Sequence, residues 1–247
     1  MKTAAASFAL VLATFTLPSQ AVIVALSPDK DNTIYEESGT TSNGAGDYLF
    51  AGDTKGITGT GSRRALLAFD VATSVPAGAT INSAVVRLTL TRTISGSQSV
   101  SLHRLTSDWG AALSDATGQE GRGAAALAGD ATWTNNFSGT STWSAAGGDF
   151  IGGASASQII GAVGDYDWNS TATTVADVQG WLDNPSQNFG WVLIGVEGVA
   201  GSAKRFNSGD NAANQPMLTI DYTPVPEPST ALLAVLALGL LAKRQRQ

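Results

Sequence analysis

The chain has 247 residues, 14 Lys+Arg against 20 Asp+Glu, a formal net charge of −6, one histidine and no cysteine. This composition excludes a disulfide framework, a cysteine nucleophile and a His-rich zinc site. The acidic balance argues against nucleic acid as a partner, because phosphate binding needs a net basic surface.

In chain order, Lys2 precedes an apolar run from Ala4 to Leu17, then Pro18 and Ser19-Gln20-Ala21. A charged start, an apolar middle and a small-residue end predict a secretory signal peptide over 1–21, cut by signal peptidase between Ala21 and Val22. The apolar run is short for a membrane anchor.

Residues 22–224 are of a size for one domain with one core. They hold ten basic and 19 acidic residues. Asp31 to Tyr35 and Asp47 to Ala51 read as short strands around a loop. Arg64 to Val71 is dense enough in apolar residues for a buried strand. Ala84 to Arg92 alternates, with Val86, Leu88 and Leu90 opposite Arg87, Thr89 and Thr91. Ser99 to Leu105 alternates too.

From Ser107 to Gly164 the pattern dissolves, and 12 of the 28 glycines fall there. Trp109, Trp133, Trp143 and Phe150 argue for long ordered loops, with short strands near Thr132 and Ile159. Thr173 to Leu182 places Val175, Val178, Trp181 and Leu182 at helical spacing, and Asn184-Pro185 stops that helix. Phe189 to Val196, Ala203 to Asn207 and Met217 to Tyr222 read as closing strands. The sum predicts an all-β chain, a jelly-roll type β-sandwich with one short helix.

Several of these segments carry a resemblance. Arg64-Ala65-Leu66-Leu67-Ala68-Phe69-Asp70, Val75-Pro76-Ala77-Gly78-Ala79-Thr80-Ile81, Val86-Arg87-Leu88, Leu102-His103-Arg104-Leu105 before Asp108-Trp109-Gly110, Gly190-Trp191-Val192-Leu193, Lys204-Arg205-Phe206 and Pro216-Met217-Leu218-Thr219-Ile220 are similar to the DNRLRE family. The resemblance implies a sandwich of carbohydrate-binding-module type, related to modules that bind acidic polysaccharides such as alginate. Gly209-Asp210 departs from the Arg-Glu that this family carries after Phe-x-Ser.

The end, 225–247, reads Val225-Pro226-Glu227-Pro228, then Ser229 to Ala242 without a charge, then Lys243-Arg244-Gln245-Arg246-Gln247. The prolines form a boundary, the uncharged stretch suits a short transmembrane helix, and the basic end stays cytoplasmic. As a helix the stretch spans roughly 21 Å, short of about 30 Å of hydrocarbon. Its three parts resemble the PEP-CTERM sorting signal. That resemblance implies transient retention in the inner membrane and cleavage near Pro226-Glu227-Pro228 by an exosortase.

No constellation for catalysis stands out. The single histidine, His103, lacks a Gly-x-Ser-x-Gly elbow to serve. Nineteen core acids allow many glycosidase-like pairs and single out none. Asp29, Asp31, Asp165 and Asp167 are candidate oxygen donors for a structural calcium, or simply solvated acids. Trp109, Trp133, Trp143 and Trp168 either stack on sugar rings or plug the ends of the fold. His103, Arg104, Trp109, Lys204 and Arg205 form the candidate carbohydrate-binding set, with the cations pairing to carboxylates of an acidic exopolysaccharide. Adjacent Lys204 and Arg205 should point to opposite faces of their strand. The expectation is an exported, non-catalytic polysaccharide binder at the cell surface or in the extracellular matrix. The alternatives are a polysaccharide lyase or hydrolase, and a structural matrix protein without a specific ligand.

Overall fold

The computed structural model describes residues 20–54 and 61–225. Most of the signal-peptide segment, and Pro226, Glu227, Pro228 and the basic end, lie outside the described residues. No described helix is long and apolar enough to cross a membrane.

Thirteen strands are described: β1 (Val22–Leu26), β2 (Lys30–Tyr35), β3 (Thr41–Ser42), β4 (Tyr48–Asp53), β5 (Ser62–Ala68), β6 (Thr80–Thr93), β7 (Gln98–Arg104), β8 (Ala124–Ala125), β9 (Ala156–Ile160), β10 (Gly164–Trp168), β11 (Trp191–Ile194), β12 (Lys204–Asn207) and β13 (Met217–Thr223). Two α-helices interrupt them, α1 (Val71–Ser74) and α2 (Ala172–Asp183). The large sheet is antiparallel and curled, and β3 pairs with β8 apart from it.

The 14-residue β6 is the spine of one half of the curl. Its residues 80–87 pair with β13, and 90–93 pair with β12 along the same edge. Its other edge carries β10. In the second half β5 carries β2 on one edge and β11 on the other, and β7 and β9 continue beyond β11. Strand β4 joins the halves. Tyr48 to Ala51 pair with β12, whereas Gly52 and Asp53 pair with β5. Gly52 turns the strand at φ 107°, and a Cβ there would lie 3.0 Å from the Ala203 Cα. Both the angle and the close approach require glycine.

The curl encloses the main core. Val86, Leu88 and Leu90 of β6, with Leu218 and Ile220 of β13, share one buried cluster with Leu67 of β5, Leu102 of β7 and Leu193 of β11. Helix α2 adds Val178 and Trp181, and the Trp181 ring lies 4.4 Å from Trp191, edge to face. Thr171 and Thr174 close a capping box at its start, and Asn184 caps its end before Pro185.

The second half is buried on its outer face too. Ile34, Leu66, Ala68 and Val192 pack under Leu105, Trp109, Trp133 and Trp143 in a separate cluster. The glycine-rich segment after β7 is therefore a covering layer. A buried polar hub helps fasten it: Asn32 Nδ2 donates to the carbonyls of Gly110 and Ala131, and Asn32 Oδ1 accepts from Ser42 and Asn43.

Several expectations change. Residues around Thr132 are irregular, whereas Ile159 lies in β9. Strands β1 and β10 were not legible. The strand expected to reach Val71 ends at Ala68, because Asp70 caps α1 through the Thr73 amide.

Candidate functional site

The site is built where β12 meets the end of β6. Alternation along β12 buries Lys204 and Phe206 and turns Arg205 outward. On β6 the inward residues are Ala84, Val86, Leu88 and Leu90. Unbroken alternation would send Arg92 inward as well. A bulge prevents this: Phe206 is the partner of Leu90, but Arg205 is the partner of Arg92, so Thr91 is skipped. The extra residue re-aims the side chains after it. Arg92 turns to the outer face and Thr93 to the inner one.

The bulge leaves Arg92 and Arg205 as cross-strand partners. Both donate to Gln119 Oε1, at 2.6 and 2.8 Å. Arg205 also donates to Thr91 Oγ1, and its guanidinium sits 3.7 Å from the Tyr48 ring centroid. Burial is the largest influence on Arg205 and holds its pKa below the usual value, although arginine stays charged at any working pH.

These residues line a cavity of about 270 Å³ with Phe50 and Ile94 on its apolar side. It adjoins a polar cavity of about 1000 Å³ through shared Thr54, Gln119 and Gly121. Arg122, Arg63, Glu37 and Glu120 line that second space. Together they form an amphipathic cleft at one end of β6.

The carboxylates of the cleft are engaged. Glu37 pairs with Arg63 at 2.8 Å. Glu120 has φ 60°, and its carboxylate accepts from Asn43 Nδ2 and from the amides of Asp47 and Tyr48. Burial outweighs these bonds and raises its pKa.

The five sequence-derived candidates do not form one patch. Trp109 is fully buried, and its indole donates to the Phe189 carbonyl with Lys30 above the ring, so it offers no face to a sugar. Trp133, Trp143 and Trp168 are buried as well. His103 lies on the outer face of β7, edge to face with Phe150 at 5.5 Å. Arg104 turns the other way, toward Asp177 of α2 at 3.3 Å. Lys204 is fully buried, and its ammonium donates to Thr93 Oγ1, Ser95 and the Gly96 carbonyl. Arg205 alone lies in the cleft. Sequence reasoning missed Arg92, Gln119 and Arg122; the one available signal was a charge in the core phase of a strand, at Arg92.

The candidate metal donors are likewise dispersed. Asp167 is held by Arg87 in two hydrogen bonds, and Asp165 accepts from Thr89. Asp29 is exposed, whereas Asp31 is buried against Gly209. Among the described residues no three His, Asp or Glu side chains are placed to hold a metal ion.

Val22 of β1 is the partner of Tyr222 of β13, so both ends of the described chain leave one edge of the sheet. The segment after β13 decides the destination. Residues 224–247 match the PEP-CTERM protein-sorting motif. The match supports sorting by an exosortase, membrane transit and a surface or extracellular location for the PEP-CTERM-bearing chain. No curated protein matches the chain.

Proposed function

We propose that this exosortase-sorted protein is a non-catalytic polysaccharide-binding module of jelly-roll β-sandwich type, which contacts exopolysaccharide outside the cell. The observation that carries the reading is the cleft at the end of β6. It joins an apolar wall at Phe50 and Ile94 to hydrogen-bonding groups at Thr54, Gln119 and Arg122. A sugar ring has an apolar face and a polar rim, and such a groove suits both. The resemblance of the Arg64–Asp70 and Lys204–Phe206 segments to the DNRLRE family supports the same reading. So does the sorting motif, which takes the protein to where exopolysaccharide lies.

The rival reading, a lyase or hydrolase, has Glu37 and Glu120 facing one cavity in its favour. Against it, both carboxylates are already bound to protein donors that position the surrounding chain. Glu120 accepts at both oxygens from Asn43, Asp47 and Tyr48, and Glu37 accepts from Arg63 through Oε2.

The test is a glycan array with the processed, secreted protein, run beside assays for new reducing ends and for unsaturated products. Retention without turnover is the expected result. Turnover would make it an enzyme, and neither retention nor turnover would leave a structural matrix protein.

A further inference from the structure

We propose that Arg92, Arg205 and Gln119 form a carboxylate-recognition subsite that takes the acid group of a uronic-acid residue. The proposal rests on the polysaccharide reading of the same cleft and assigns the chemistry of its ligand.

Like charges directly opposite on neighbouring strands destabilise a sheet. Arg92 and Arg205 hold that relation as register partners. The only side-chain acceptor they share is a neutral amide oxygen, which orients both guanidiniums and cancels neither charge.

The absence of a carboxylate is selective. Nine basic residues of the segment 22–224 are described. Lys30, Arg63, Arg64, Arg87 and Arg104 each have an acidic partner. Among the described residues Arg92, Arg122, Lys204 and Arg205 have none within ion-pair distance. Lys204 is satisfied internally by neutral oxygens. The three remaining guanidiniums all border one cleft, in a chain with more acids than bases.

Geometry favours a planar acid. The Tyr48 ring beneath Arg205 and the Thr91 hydroxyl at its Nε fix the plane of that guanidinium. Gln119 uses only one N–H of each arginine, so donors remain for a forked carboxylate. Phe50 and Ile94 lie beside them for the apolar face of the sugar. Arg122, in the adjoining space, is placed for a second acid group along the polymer.

The test uses the secreted protein and sodium glucuronate as probe, with its uncharged methyl ester as control. Arginine Nε–H signals are followed by NMR, with Arg92→Ala and Arg205→Ala spectra assigning them. Glucuronate should shift the Arg92 and Arg205 signals saturably, and the ester should not. Either alanine variant should weaken glucuronate about tenfold or more. Arg92→Lys and Arg205→Lys keep the charge but lose the fork, and should weaken it too. Equal shifts with the ester, or no shift with glucuronate, would overturn the subsite. Polysaccharide retention unaffected by Arg92→Ala and Arg205→Ala would sink the subsite while the polysaccharide reading survives. Glucuronate binding without retention of any polysaccharide would do the reverse.

Discussion

Val22 and Tyr222 face each other across the outermost strand pair of the sheet. Val22 is the first residue after the predicted signal-peptidase cut, and Tyr222 stands two residues before the sorting motif. Tyr222 in turn pairs with Ile81, at the start of β6. Arg92 lies near the other end of that strand. Along a strand this separates chain ends from cleft by roughly 35 Å.

That distance gives an expectation for the orientation of a precursor held in the membrane by its sorting motif. If the sorting motif holds a precursor in the membrane, the β1–β13 edge should lie toward lipid and the arginine cleft should face away. The chain has no cysteine, so single labels are simple to place. With the full chain in vesicles carrying a headgroup acceptor, a dye at Asn82→Cys should transfer energy strongly and one at Ser97→Cys weakly. Equal transfer from both would show that the domain does not stand on that edge.

The two faces of β5 give a second expectation. Ala65 and Leu67 belong to the inner core, whereas Leu66 and Ala68 belong to the tryptophan-rich outer cluster. Leu66→Ala and Leu67→Ala should each cost about 2–5 kcal/mol. Phe69→Ala, which also loses the edge-on contact to Trp191, should cost about 3–5 kcal/mol. Urea midpoints measure all three. A near-neutral Leu66→Ala would mean that the covering layer is not packed on the sheet in solution.

That double burial also explains what the sequence could and could not reveal. Alternation in β6 was readable because one face meets the core and the other meets water. The apolar run in β5 was readable as buried, but a choice between its two faces was not needed: both are inside. The layer that covers it is written in Gly, Ala and Ser, which carry no periodicity, and its tryptophans looked like loop aromatics. The cleft was hidden for another reason. Arg92 reaches it only through the skipped residue Thr91, and the bulge marks the alternating pattern only by a charge at a position in the core phase.

Asp31 sets a pH dependence. Its Oδ2 accepts from the Gly209 amide, and its Oδ1 is buried without a partner among the described residues. Burial, the largest cause, and nearby Asp210 push its pKa up to about 7, against the hydrogen bond from Gly209. The folded state therefore holds a proton that the unfolded chain releases near the ordinary carboxylate value. Stability from this group is full below that value and is lost as pH rises toward 7, by on the order of 4 kcal/mol. Asp210, raised first by burial and then by Asp47 and Asp115, acts in the same direction. Urea midpoints should fall between about pH 4 and 7, and Asp31→Asn should flatten that fall. An unchanged slope in the variant would place its origin elsewhere.

Lys204 and Arg205 are neighbours in sequence with opposite tasks, and that contrast can be measured. The Lys204 side chain runs inward, fully buried, and ties the β6–β7 turn through Thr93, Ser95 and Gly96. Burial lowers its pKa, since no carboxylate repays the desolvation. Lys204→Ala removes the packed stem and leaves those acceptors without their donor, at an expected cost of about 2–4 kcal/mol. Lys204→Met keeps the stem and should recover part of the loss. Arg205→Ala removes a half-buried side chain from a face where it opposes Arg92, so loss of its hydrogen bonds is offset by relief of like-charge repulsion. Its stability change should stay within about 1 kcal/mol, while its binding of glucuronate fails. The two readouts must separate: Lys204→Ala moves the urea midpoint and Arg205→Ala moves affinity. If Arg205→Ala unfolded the protein as readily as Lys204→Ala, the cleft arginine would be part of the scaffold, and the charge it holds open would have no claim to a ligand.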